Sequence, residues 1–130
     1  MTNMEIYNAA LRLASEVASE DENGDYLERS GYLLPAACSM CAAADRLYRS
    51  AYGLSEQSLP ESTVYSMTAT FPLSPVFATP VSARLASLLT VQESPELSAA
   101  LASVSEDALS RILSSLPFRS EKIVDRYSAE

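Results

Sequence analysis

Residues 71–112 read FPLSPVFATPVSARLASLLTVQESPELSAALASVSEDALSRI, and this stretch decides the fold class. It opens with an apolar, proline-punctuated anchor that runs from Phe71 through Leu73 to Phe77. Proline presets φ and lacks a backbone donor, so it suits the approach to a helix and its first position. A helix is therefore expected to start near Pro75 or Pro80 and to run to about Gln92. Val81, Leu85, Leu88, Leu89 and Gln92 mark its face at helical spacing. Glu93-Ser94-Pro95 then breaks the chain. Ser94 is placed to cap, Pro95 to take the first helical position, and Glu96 to meet the positive end of the helix dipole. A further helix should reach about Ser115, with Leu97, Leu101, Val104, Ala108, Ile112 and Leu116 turned inward, and Pro117 ends it.

Working outward toward the N-terminus, Thr2-x-x-Glu5 is a capping box. It precedes Met4, Tyr7, Leu11 and Ala14, with Ile6, Ala10, Leu13 and Val17 alongside, which predicts a helix over about 3–19. The acidic run 20–25 stops it, Asn23-Gly24 marks a turn, and Asp25 can cap the next helix. That helix should span about 26–52 and end with Gly53 just past its last turn. Pro35 interrupts it. Proline in a helix interior costs about 3 kcal/mol, so 26–34 is expected as a separate short helix or as one limb of a kink. Residues 36–44 are rich in small side chains, which lets another helix come close. Asp25 and Arg29, Asp45 and Arg49, and Asp107 and Arg111 are each four apart with the acid first, the favourable order.

Residues 54–70 are the least helical. Ser, Gln and Pro60 give way to Thr63-Val64-Tyr65-Ser66-Met67-Thr68-Ala69-Thr70, β-branched, aromatic and roughly alternating. This predicts a long loop holding a short strand or extended arm. A lone strand is not stable and no partner strand is evident in the chain. The expectation is pairing with a neighbouring copy, or irregular structure. The tail, 118–130, carries Phe118, Ile123, Val124 and Tyr127 among charges and reads as a short docking helix. The fold class is all-α. It is a small domain of about four principal helices, with a body of 1–117 that includes the arm at about 54–70, and a C-terminal docking tail of 118–130.

Composition bounds the function. At 130 residues the chain is one domain able to bury a core. Nine basic groups stand against seventeen acidic ones, the wrong sign for a groove that grips phosphates. The same balance suits a wall past which DNA slides, since like charges do not stick. Lys122 is the sole lysine beside eight arginines; arginine is the cation favoured at interfaces, and GC-rich codon usage produces the same bias. No apolar run is long enough to cross a membrane, and the N-terminus lacks the pattern of a secretory signal. Two cysteines in such a chain suggest free thiols in a reducing compartment.

Chemistry is hard to find. The chain has no histidine, which removes the Ser-His-Asp and Cys-His nucleophilic systems and most zinc sites. Gly24, Gly31 and Gly53 are isolated and fit no phosphate-binding loop. Cys38-Ser39-Met40-Cys41 has the spacing of a redox pair or of half a metal site. No further Cys or His exists to complete four ligands, so reduced thiols packed in the core are expected. Glu16, Glu20, Asp21, Glu22, Asp25 and Glu28 cluster, but no calcium-loop register fits them, so a solvated turn is expected. No catalytic, cofactor or metal site is expected, and the chain does not read as an enzyme. Tyr26, Tyr32, Tyr48, Tyr52, Tyr65 and Tyr127 are open to two readings, helix–helix packing or interface anchors.

The layout Phe71-Pro72-Leu73-Ser74-Pro75-x-Phe77 ahead of an Ala/Leu-rich helix, with Glu93-Ser94-Pro95-Glu96-Leu97-Ser98 at the corner, resembles the C-terminal half of head–tail connector (adaptor) proteins of long-tailed bacteriophages. The likeness is best over 71–127 and looser over the N-terminal helices. In that family small helical subunits form a ring, usually twelvefold, between the portal and the tail-side proteins around the DNA exit channel. The resemblance implies a virion protein of the phage neck, present in the host cytoplasm before assembly. Its partners would be the portal protein, the tail-side connector proteins and its own copies in a dodecamer. DNA would pass the channel without specific binding, and neither membrane nor cofactor would be involved. Partner-binding residues would then lie in the tail, at Phe118, Lys122, Ile123, Val124, Arg126 and Tyr127, or on the arm, at Val64, Tyr65 and Met67. Two other readings stand beside it: a soluble bacterial helical regulator or adaptor that binds a protein partner, and a thiol-dependent enzyme or metal protein built on Cys38 and Cys41.

Overall fold

The computed structural model of the protein describes residues 1–15 and 25–117. The domain is all-α. Helix α1 spans Asn3–Leu13, α2 Asp25–Ala51, α3 Ala78–Thr90 and α4 Pro95–Ser114, and a 3-10 turn, Pro75–Phe77, leads directly into α3. Among the described residues no strand forms, and the extended segment contributes an isolated antiparallel bridge, Thr2 to Thr70.

Helix α3 is the centre, and α1, α2 and α4 pack around it. Its Val81, Ala83, Leu85, Ala86 and Leu89 are all fully buried, as expected of a helix that is apolar on most sides. Two buried polar residues on it, Ser87 and Thr90, are small and bonded. The hydroxyl of Ser87 donates to Ser98 O and the hydroxyl of Ser98 donates to Ser87 O, each at 2.7 Å. The hydroxyl of Ser105 donates to Pro80 O, also at 2.7 Å. These bonds fix α3 and α4 as an antiparallel pair and let the backbones approach closely with the hydroxyls of Ser87, Ser98 and Ser105 satisfied.

They also amend the inward face expected for α4. Leu101 and Leu116 are buried and Leu97 and Ile112 pack half-buried on the core as expected, but Ser98 and Ser105 are buried too and Val104 is 47% exposed. The close serine approach rolls the helix so that the small polar side chains meet α3. Gln92 is likewise exposed, because α3 ends at Thr90 and the corner begins there. The corner itself forms as read. Leu97 N–H donates to Ser94 Oγ at 3.3 Å, and Pro95 takes the first helical position.

The Thr2/Glu5 capping box closes the start of α1. Gly53, at φ +66°, closes the end of α2. There Leu54 N–H donates to Arg49 O and Gly53 N–H to Ser50 O, the double bond pattern of a left-handed helix stop. Pro35 does not divide the second helix. Asp25–Ala51 is one continuous helix with Pro35 inside it. The apolar anchor behaves as expected: Phe71, Leu73 and Phe77 are buried, and Phe77 meets Tyr48 edge-on at 5.8 Å.

Candidate docking surfaces

The arm, residues 54–70, is bound within its own chain. Helices leave particular backbone groups unpaired, and the arm uses them. Pro35 has no N–H, so the carbonyl four residues earlier, that of Gly31, lacks its helical donor. Tyr65 N–H donates to that carbonyl at 2.9 Å. Gly31 permits the approach: a Cβ there would already touch Tyr65 O and Val64 Cγ1 at 3.5 Å. The first amides of α1 are equally short of partners. Asn3 N–H donates to Ala69 O and Met4 N–H to Met67 O, both at 2.9 Å. The side-chain amide of Asn3 donates to Ser66 O at 3.0 Å, and Phe71 N–H returns to Met1 O at 2.9 Å. The expectation that the arm lacks a partner in its own chain is thus corrected. Its partners are the N-terminal turn of α1 and the proline-vacated carbonyl of α2, not a second strand.

This changes what the arm can present. Tyr65 is buried and Met67 packs half-buried on the core, while Val64 is 46% exposed. Burial also raises the Tyr65 phenol above its ordinary value, with the Cys38 thiol a secondary cause.

A buried ion pair holds the linker that follows. Asp45 is 1% exposed. One carboxylate oxygen accepts Arg49 Nε–H at 3.0 Å and the other accepts Ser74 N–H at 3.0 Å. Arg49 in turn donates to Ser55 O at 3.2 Å. The pairs Asp25–Arg29 and Asp107–Arg111 form with the same spacing, at 3.4 and 3.3 Å, with their carboxylates on the surface.

Cys38 and Cys41 are free and buried beneath the arm and α3. Burial pushes the Cys38 thiol up to about 12, helped by Cys41. It pushes Cys41 up to about 11, against the lowering effect of Arg84 and with a small further rise from Asp45. A nucleophilic or metal-binding cysteine acts as thiolate, and this environment holds both as thiols. Among the described residues no three His, Cys, Asp or Glu side chains gather to hold a metal.

Two surface features remain. An open groove of about 590 Å³ lies between α1 and the start of α3, with Ile6, Ala9, Leu13, Ala78 and Ser82 lining it and Arg12 at its edge. The other is the outer face of α2. Tyr32, Met40 and Leu47 are 61%, 54% and 43% exposed, and Ala36, Ala43 and Ser50 between them are exposed too. No charged residue occurs from 30 to 44. Ala36 and Ala43 of the small-residue run 36–44 belong to this face with Tyr32, and Met40 and Leu47 complete it. Of the tyrosines, Tyr26 and Tyr65 are buried, Tyr48 is a half-buried packing residue, and Tyr32 and Tyr52 are exposed. Tyr127 and the other tail candidates, Phe118, Lys122, Ile123, Val124 and Arg126, lie outside the described residues, as do Glu16, Glu20, Asp21 and Glu22.

No described helix is long and apolar enough to cross a membrane. No family model, curated protein or solved structure matches the chain.

Proposed function

We propose that the chain is a structural, non-enzymatic virion protein, a connector subunit that forms a ring between the portal and the tail of a phage around the DNA channel. The ring is expected to be twelvefold, with the subunit in the host cytoplasm before assembly. The observation that carries this reading is the unit formed by residues 71–114. A buried Phe71–Leu73–Phe77 anchor, a largely buried α3, a Ser94-Pro95 corner and an antiparallel α4 make one packed piece, in the order that resembles connector subunits. The acidic balance of the whole chain supports a surface that DNA passes without sticking. The surroundings of the two thiols support packing over catalysis.

The experiment is a reconstruction of the virion neck together with a portal-binding assay. Density for this chain between portal and tail is expected. Removal of residues 118–130 should leave the helical body folded by circular dichroism and abolish portal binding, because a few apolar and aromatic anchors carry most interface energy. A portal vertex that lacks the chain overturns the proposal. If the shortened chain still binds portal, docking moves to the body.

A further inference from the structure

The outer face of α2 is a seam with a definite pattern. Tyr32, Ala36, Met40, Ala43, Leu47 and Ser50 recur at intervals of three and four, so they share one stripe of the helix. Large and small alternate along it without exception, and all six are exposed. The stripe is uncharged, and Arg46 sits on its flank.

We infer that this face pairs with the same face of a second copy, two-fold and antiparallel, centred between Met40 and Ala43. In that register Met40 of each copy meets Ala43 of the other, Leu47 meets Ala36, and Tyr32 lies over Ser50 and Ala51. Every large side chain faces a small one, which is what interdigitated packing at interior density requires. A parallel pairing sets Tyr32 on Tyr32, Met40 on Met40 and Leu47 on Leu47, and leaves gaps at the alanines. The antiparallel register buries no charge at its centre, so it carries no desolvation penalty there. The six residues of the stripe, with Tyr32, Met40 and Leu47 exposed by 61%, 54% and 43%, offer on the order of 400 Å² per copy, so a pair hides about 800 Å², the size of a weak, concentration-dependent contact.

The pairing does not rest on the connector reading. A two-fold contact closes on itself and does not propagate a ring. If the chain is a ring subunit, the α2 pair is the form of the free protein, and it holds this face away from ring neighbours until assembly.

Sedimentation of the full-length protein at tens of micromolar tests the idea. A dimer is expected. Met40→Glu and Leu47→Glu should each weaken it by roughly tenfold or more, with helicity unchanged because both side chains project from the folded surface. Cross-linking fixes the register. With a rise of about 1.5 Å per residue, the two copies of position 40, or of position 43, are offset by about 4.5 Å along the axis, and those of position 47 by about 16 Å. Met40→Cys and Ala43→Cys should therefore cross-link to dimers through a short bis-maleimide, whereas Leu47→Cys should not. Wild type, with both thiols buried, is the blank. A monomeric wild type overturns the inference. So does a dimer indifferent to both glutamates, or cross-linking through position 47 and not through 40 and 43.

Discussion

Asp45→Ala is expected to cost about 3 kcal/mol, and the figure follows from what the carboxylate holds. Its side chain is 2% exposed, against 16% for Arg49. Ser74 N–H loses its acceptor in a buried place, worth about 1–3 kcal/mol. Arg49 loses its counter-ion, and truncation of one partner of a buried pair costs about 3–5 kcal/mol in general. The lower end applies here because Arg49 keeps its bond to Ser55 O and has a path to water. Asp45→Asn retains an oxygen for Ser74 but turns an amide donor toward the guanidinium, so about 1–2 kcal/mol is expected. Arg49→Ala strands the more deeply buried group and should cost as much as Asp45→Ala. Against a typical total of about 5–15 kcal/mol these are large effects. Urea unfolding of the full chain at neutral pH measures them, and hydrogen exchange at the Ser74 amide localises them. The double variant should fall well short of the sum of the singles. An Asp45→Ala chain within about 1 kcal/mol of wild type, or strict additivity in the cycle, refutes the reasoning.

Gly31→Ala should be neutral or stabilise by up to about 1 kcal/mol, since the added Cβ meets Tyr65 O and Val64 Cγ1 at ordinary distance while helix propensity improves. Gly31→Leu should lift the arm and cost about 1–3 kcal/mol; thermal unfolding separates the two outcomes. The native thiols should resist a thiol reagent at pH 8 and react once the chain is unfolded. Both folded values, about 12 and about 11, lie above the ordinary 9.0, so the folded state keeps protons that the unfolded state releases. That contribution is complete below pH 9 and is lost as pH rises through about 11 and then 12. The Cys38→Ala/Cys41→Ala chain should stay folded at a cost of roughly 1–2 kcal/mol and show a shallower alkaline decline. Ser94→Ala removes the cap of α4 and should lower stability by about 1 kcal/mol in denaturant titration.

What could be read from the chain alone is what depends on near neighbours. The Thr2/Glu5 box, the Ser94-Pro95 corner, Gly53 and the three acid-first pairs each close within a few residues, and each forms. Asp45 shows the limit. Its pairing with Arg49 follows from spacing, but so do those of Asp25 and Asp107, and only Asp45 is buried. The difference is made by Ser74, 29 residues on. The choice of Ser105 over Val104 as the inward residue has the same origin. Hydrophobicity favours Val104, and a hydroxyl bond to Pro80 O on another helix decides for Ser105. The outer seam of α2 is not legible as a surface in the sequence, because an amphipathic pattern assigns large apolar residues to the core.

Pro35 joins these points. Read locally, a proline in a helix interior is a defect that should end or divide the helix. Here the donor it removes leaves Gly31 O free, the absent Cβ of Gly31 leaves room, and Tyr65 N–H enters. The proline is therefore the reason the arm can lie on α2. The N-terminal amides of α1 hold the other end of the same segment. Residues 64–70, satisfied in this way, have little backbone left to offer a neighbouring copy, and Tyr65 is already buried in the core. Any partner must then be met by side chains on other surfaces. Among the described residues the outer face of α2 is one such surface, uncharged from 30 to 44, and Val64 is an exposed large side chain of the arm that lies against Gly31. Loss of the Tyr65–Gly31 bond, by displacement of the arm in Gly31→Leu, would disturb Val64 while leaving Met40 and Leu47 in place. Pairing through α2 should survive that change, whereas binding that needs the arm should not.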